Sequence, residues 1–212
     1  MIVDPKSQRY QDVYKLLIGS IVPRPVALVS TISKDGVRNL APFSFFTGIS
    51  SKPTMVCFCP GPRAEGSARK DTLRNIEETR EFVINVVSEE MAEGMNLTSG
   101  EYAPEVDEFE IAGFTAAPSD LVKPPRVAES DVNLECKRVL IIEFSELPGG
   151  GNLVVGEVVR IHVADKLVEN FKIDPDKLRA VGRMGGNSYT RTRDRFDMIR
   201  PKVQKPGEST SL

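Results

Sequence analysis

The chain has 212 residues, 40% of them hydrophobic and 27% charged, a balance that suits a folded protein with a sizeable core. A formal net charge of −2 gives no global electrostatic case for nucleic-acid binding, and the longest apolar runs have strand length, so no helix spanning a membrane is expected. Three cysteines cannot all pair within the chain and no secretory leader pattern stands at Met1–Ser20, so the expected setting is the reducing cytoplasm.

In chain order, Ser7–Ile18 predicts an amphipathic helix, with Tyr10, Val13, Tyr14 and Leu17 on one face, Ser7 as N-cap and Gly19 as stop. Arg24 lies between Pro23 and Pro25, and the following proline holds it extended. Solvation and anion binding are both open to it. Val26–Ile32 and Val37–Phe46 predict two strands joined at Asp35-Gly36, where a tight primed turn needs the positive φ that glycine supplies. Pro42 removes a ladder donor from the second strand, and Ala41, Ser44 and Thr47 alternate there with Phe43, Phe45 and Phe46. A strand that stops pairing at such a place frees backbone groups beside aromatic walls and hydroxyls, a surface fit for a flat heteroaromatic ligand. The plainer alternative is an edge strand with a proline bulge.

Thr54–Cys59 predicts a short buried strand ending at Pro60-Gly61. Cys57 and Cys59 share a face, but no second ligand pair stands at zinc-like spacing, so structural cysteines and no metal site are expected. After the polar loop Pro60–Arg69, Asp71 or Thr72 is placed to cap a helix reaching about Arg80, with Leu73 and Ile76 inward. The helix N-terminus, Lys70 and the Thr72 hydroxyl together make a candidate phosphate cradle; otherwise Lys70 is solvated and Thr72 only caps.

Phe82–Val87 predicts another apolar strand, and Glu89–Asn96 a short helix with Met91 and Met95 as core filler. A helical turn or two around Asp107–Ala112 stops at Gly113, and Leu121–Arg126 is an extended crossing. In Val132–Phe144 one face carries Val132, Leu134, Cys136, Leu140, Ile142 and Phe144, and Leu153–Val163 returns antiparallel after the Pro148–Asn152 turn. His162 falls on the solvated face, with no nucleophile or carboxylate motif beside it. Asp174–Ala180 predicts a last short helix. Gly182–Tyr189 lacks the dinucleotide-fingerprint spacing and is a glycine-rich loop suited to backbone approach by a ligand or another subunit. These elements predict a single, mainly β domain over residues 1–200, a barrel with peripheral short helices, and a polar tail over 201–212.

The segments PRPVALVST, DG, RNLAPFSFF, KDTLRNI, MN-T-S, VGEVVRIHV and GR-GG--Y, in this order between about Leu16 and Tyr189, resemble the flavin reductase-like family of FMN-binding split barrels, near its flavoredoxin branch. The resemblance implies an antiparallel Greek-key split β-barrel and a homodimer with FMN near the subunit interface. It puts Ser44, Phe45, Phe46 and Thr47 along the isoalloxazine ring, and Arg24 and Asn39 beside the flavin or its phosphate tail. Lys70, Asp71 and Thr72 would hold the phosphate, and the loop from Arg183 to Tyr189 would approach the flavin. No catalytic side chain is then required, because the cofactor carries hydride chemistry and the protein binds, orients and polarises it. The implied activity is electron transfer from NAD(P)H to FMN, with a monooxygenase or another acceptor downstream. The alternatives are an FMN electron carrier without nicotinamide activity, and a barrel for another aromatic ligand.

Overall fold

Seven strands form the main sheet of this computed structural model, in which residues 1–61, 69–145 and 147–201 are described. They are β1 Ala27–Ile32, β2 Arg38–Phe43, β3 Phe46–Ser51, β4 Thr54–Phe58, β5 Glu81–Val86, β6 Val132–Glu143 and β7 Asn152–Val163. All neighbours pair antiparallel, in the order β2-β1-β5-β6-β7-β4-β3. The two edges, β2 and β3, are consecutive in sequence, with only Ser44 and Phe45 between them. In a flat sheet those edges would stand about 28 Å apart, whereas the step from Phe43 to Phe46 reaches at most about 11 Å. The sheet must therefore curl until its edges meet, and the result is a split barrel whose seam is Ser44-Phe45.

The barrel interior holds Ala27, Val29, Phe43, Phe58, Phe82 and Ile84, capped by Leu73 and Ile76 of helix α2 (Asp71–Thr79). Phe43, Phe58 and Phe82 stack with ring centroids 5.1 and 5.5 Å apart. Gly156 faces these rings because a Cβ there would lie 2.4 Å from the Phe82 ring. A second cluster packs outside the barrel: Val26, Leu28 and Leu40 meet Met91 and Phe109. It also includes Met95 of α3 (Ala92–Leu97) and borders α4 (Glu108–Ala112). β1 is thus buried on both faces, which is why its apolar residues do not alternate with exposed ones and why Ser30 and Thr31 are buried along with them. Gly113 ends α4 at positive φ, as the sequence predicts, and Asp107 caps its start by accepting from the Phe109 amide.

Several expectations change. The first helix, α1 (Tyr10–Ser20), starts after Ser7 and runs past Gly19; Ser7 ends a separate 3-10 turn. Its supposed inward residues Tyr10, Tyr14 and Leu17 are exposed, and only Ile18 is buried. At the β1–β2 turn only Gly36 has positive φ, and the Gly36 amide donates to the Ser33 carbonyl. The loop is therefore a longer turn closed by a left-handed glycine, not the primed two-residue turn. Lys70, without a side-chain cap bond, is the N-cap of α2, so neither Asp71 nor Thr72 caps it. β4 is buried only on alternate residues, and Cys57 and Cys59 on its other face are half-buried.

The largest change is in β6. A register shift between Val155 and Gly156 puts Val139 out of pairing and flips the parity of the strand. Beyond it Ile141 packs against the core, while Leu140, Ile142 and Phe144 point outward and are exposed. Asn133 and Glu135, on the face opposite Val132, Leu134 and Cys136, are buried by the chain crossing over them. Glu135 accepts from the amides of Asp120 and Leu121 at 2.7 Å each and contacts His162 Nε2 at 2.6 Å. Burial pushes its carboxyl up, but these donors outweigh burial and hold it below the usual range. Asp120, Glu135 and His162 bring ligand-type atoms within 4.8 Å of one another, and the occupied Glu135 oxygens mark the cluster as a pin for the crossing.

No helix among the described residues is long and apolar enough to cross a membrane. The predicted tail beyond Pro201 and most of the Pro60–Arg69 loop lie outside the described residues.

Candidate functional site

Two cavities flank the seam and share Pro42 and Ser99 in their linings. The smaller, about 120 Å³, is lined by Asn39, Lys70, Asp71, Thr72 and Glu108, among others. The larger, about 910 Å³, is an open groove touched by Tyr14, Arg24, Ser44, Asn96, Arg183 and Tyr189. The chain brings them together because β2 ends at the seam, while the first turn of α2 and the loop after α3 close over the strand.

At the smaller cavity a buried polar chain runs from β1 to α4. Asn75 Nδ2 donates to Thr31 Oγ1 at 3.0 Å, and the Thr31 and Thr72 hydroxyls donate to Asn39 Oδ1 at 3.2 and 2.7 Å. Asn39 Nδ2 in turn donates to Glu108 Oε1 at 2.9 Å, while Glu108 Oε2 accepts from the Leu40 amide at 3.0 Å. Burial pushes the Glu108 carboxyl up, and the nearby Asp71 charge adds to that shift against the donors. Asp71 itself pairs with Arg74 at 2.6 Å, within its own helix. The amides at the start of α2 have no acceptor inside the helix, and Lys70 Nζ lies 5.9 Å from the Phe43 ring centroid. A helix N-terminus with an adjacent ammonium fits an anion.

At the larger groove Arg24 is only 5% exposed. Its Nη1 donates to the carbonyls of Ile18 and Ile21 at 2.8 and 2.6 Å, its Nη2 to that of Met184 at 3.0 Å, and its Nε to Ser44 Oγ at 3.3 Å. Its guanidinium carbon lies 5.7 Å from the Phe45 ring centroid. Arg24 therefore ties the end of α1, the seam and the glycine-rich loop into one wall. That loop is a hairpin of short strands Val181–Arg183 and Tyr189–Arg191, the first paired with Arg24–Pro25. Gly182 permits this approach, since a Cβ there would come within 2.9 Å of Pro23. Arg183 lies over the Tyr189 ring, 4.5 Å from its centroid, and donates to the Tyr189 hydroxyl and the Gly186 carbonyl.

Of the residues expected at the site, Asn39, Lys70, Asp71 and Thr72 meet at the smaller cavity, and Arg24, Ser44, Arg183 and Tyr189 at the larger. Phe45 sits at the seam under Arg24, its carbonyl accepting from the Cys59 amide at 2.9 Å. Phe46 packs against the barrel core, and Thr47 stands exposed on β3 opposite Cys57; neither lines a cavity. Sequence reasoning missed Glu108, whose only signal was its place directly after the Asp107 cap. It also missed Tyr14, since helix periodicity pointed it into the core.

The sequence profile described as "Flavin reductase like domain" matches residues 18–183. An uncharacterized protein of Halalkalibacterium halodurans is 39% identical over 98% of this chain and all of its own length. The crystal structure of nitrilotriacetate monooxygenase component B from Bacillus cereus superposes with a TM-score of 0.88 at 34% identity, covering 93% of this chain and 98% of that one. That of Pseudomonas fluorescens 2-nitrobenzoate 2-nitroreductase does so with a TM-score of 0.85 at 30% identity, covering 98% and 100%. Profile, sequence relatives and barrel agree: the chain belongs to the flavin reductase like domain family.

Proposed function

We propose that this protein binds FMN across the seam and passes electrons from NAD(P)H to it, as a flavin oxidoreductase acting within one domain over residues 1–200. The coarser assignment, a flavin-dependent oxidoreductase or electron carrier, follows from the family; the donor and the residue roles are our reading. The observation that carries it is that the two cavities lie side by side, with Pro42 and Ser99 in the walls of both. A ligand with an anionic tail and a flat ring has a helix N-terminus with Lys70 at one end, and Ser44, Arg24 and Tyr189 at the other. FMN is that ligand. It supplies hydride-accepting chemistry when bound, and the chain's residues position it and exclude water around it. The likeness to structures named as a nitrilotriacetate monooxygenase component and a 2-nitrobenzoate nitroreductase supports a separate electron acceptor, a monooxygenase partner being one candidate. A homodimer is supported by the apolar residues left outside the core, on α1 and on the outward face of β6.

The test is NAD(P)H oxidation with excess free FMN, after the purified protein has been checked for a two-banded flavin spectrum. A rate above the FMN-only background supports the reductase. Bound flavin without such a rate leaves an electron carrier, and a colourless protein that takes up no FMN removes the flavin site altogether.

A further inference from the structure

Arg24 is a buried cation whose hydrogen-bond partners are all neutral: three carbonyls and one hydroxyl. Among the described residues it pairs with no carboxylate, and neither does Arg183, whose partners are the Tyr189 hydroxyl and the Gly186 carbonyl. Both line the larger groove, and burial, with a smaller contribution from the Arg183 charge, pulls the Arg24 guanidinium below its ordinary value. Glu93, the one carboxylate among the residues lining the groove, forms no ion pair with either. Buried charge without a counter-ion is costly, so the groove is electrostatically complementary to a negative ligand.

The kind of negative charge follows from donor counting. A guanidinium has five N–H groups, and Arg24 spends four of them on the chain itself. With one left it cannot clamp a carboxylate with a two-pronged grip, but it still acts as a fixed point charge against a delocalised one. Adding two electrons and one proton to an oxidised flavin ring leaves a net negative charge spread over N1 and the C2 carbonyl. That is the delocalised charge such a site suits.

We propose that Arg24, seconded by Arg183, biases the larger groove toward the anionic, two-electron-reduced form of FMN, which the protein therefore holds more tightly than the oxidised form. This rests on the placement of the flavin ring along Ser44 proposed above. It goes further by assigning the site a preference for one oxidation state.

The experiment is anaerobic titration of the protein with oxidised FMN and with dithionite-reduced FMN at pH 8, paired with the midpoint potential of the bound flavin. The native protein should bind the reduced form about tenfold more tightly, equivalent to an upward shift of about 30 mV for a two-electron couple. Arg24→Gln should bring the ratio to about one, and Arg24→Lys, which keeps the charge while losing the fork, should retain most of the preference. If thermal melting shows Arg24→Gln unfolded, Arg183→Gln is read instead, with a smaller fall in the same direction expected. A native ratio of one or below overturns the proposal and leaves the flavin site standing. So does an unchanged ratio in a folded neutral variant, or equal losses in the Lys and Gln variants. Failure of both FMN forms to bind overturns the flavin placement and this proposal together.

Discussion

The Thr72 hydroxyl donates to Asn39 Oδ1 at 2.7 Å, and this bond joins the first turn of α2 to the edge strand β2. Both residues are buried, and Asn39 also serves Thr31 and Glu108, so it is the centre of the polar chain under the smaller cavity. Asn39→Ala should leave two hydroxyl donors and a carboxylate without their partner and destabilise the fold by about 1–3 kcal/mol. Thr72→Ser should be nearly silent, while Thr72→Val, similar in shape, should lose stability. Urea denaturation of the three variants checks the order; equal stability of Asn39→Ala and the native protein would show the chain carries nothing.

Lys70 has a different task. The Thr72 hydroxyl is committed to Asn39, so in the proposed FMN complex the side-chain contribution to phosphate binding would fall mainly on Lys70. Lys70→Ala should weaken FMN by about 1.5–3 kcal/mol, the range for a hydrogen bond to a charged group. Riboflavin, which lacks the phosphate, should be almost unaffected. Adding Thr72→Ala should bring the total loss for FMN to about 2–4 kcal/mol. Fluorescence titration with the two flavins reads the difference directly, and an equal loss for both would mean that Lys70 touches something other than phosphate.

Glu89 gathers Arg191, Arg179 and Arg193, fastening the segment after the Tyr189 strand to the start of the second core cluster. The hydrogen bonds from Arg191 and Arg179 hold its carboxyl down at about 2. A depressed carboxylate stabilises the fold above its unfolded value of about 4.3, and that contribution fades as pH falls toward 2. The melting temperature of the native protein should therefore drop more steeply between pH 5 and pH 2 than that of Glu89→Gln. Parallel curves for the two would mean that the arginines do not favour the ionised form.

Ile142 stands outward on β6 beyond the bulge and is 43% exposed. If a second copy covers this face, Ile142→Glu should shift sedimentation toward monomer while leaving far-UV circular dichroism unchanged. A dimer unaffected by the change would place the interface elsewhere, with the exposed face of α1 next to be tested.

Local signals of one kind were legible in the sequence: the left-handed Gly36, the Gly113 stop, the β-branched strand β1, and the paired methionines in the second core cluster. Each depends on a few adjacent residues. What was not legible depends on distant ones. The parity flip in β6 needs an unpaired Val139, and nothing in an unbroken apolar stretch marks which residue will bulge. Alternation gives no sign that Glu135 is buried, because it ignores the crossing that arrives to donate two amides to it. The apolar face of α1 was assigned inward because periodicity tells which residues share a face, not what that face meets. At the site, the grouping of Lys70, Asp71 and Thr72 at one cavity, the proposed phosphate end, could be read from a short run. Glu108 enters only because α4 packs across β2 and feeds a carboxylate to Asn39 and the Leu40 amide.

The seam at Ser44-Phe45 makes the proposed ligand pocket and the closure of the sheet one and the same place. Whatever fills the groove fastens the barrel where its hydrogen-bonded ladder is interrupted, as a buckle fastens a belt. Opening the buckle first, rather than fraying at a terminus, is then the cheapest excursion of the empty protein. Amide exchange along Phe43 to Thr47 should accordingly slow on loading far more than exchange in β5 and β6 at the centre of the sheet, and the protection of a handful of backbone protons would serve as a gauge of occupancy.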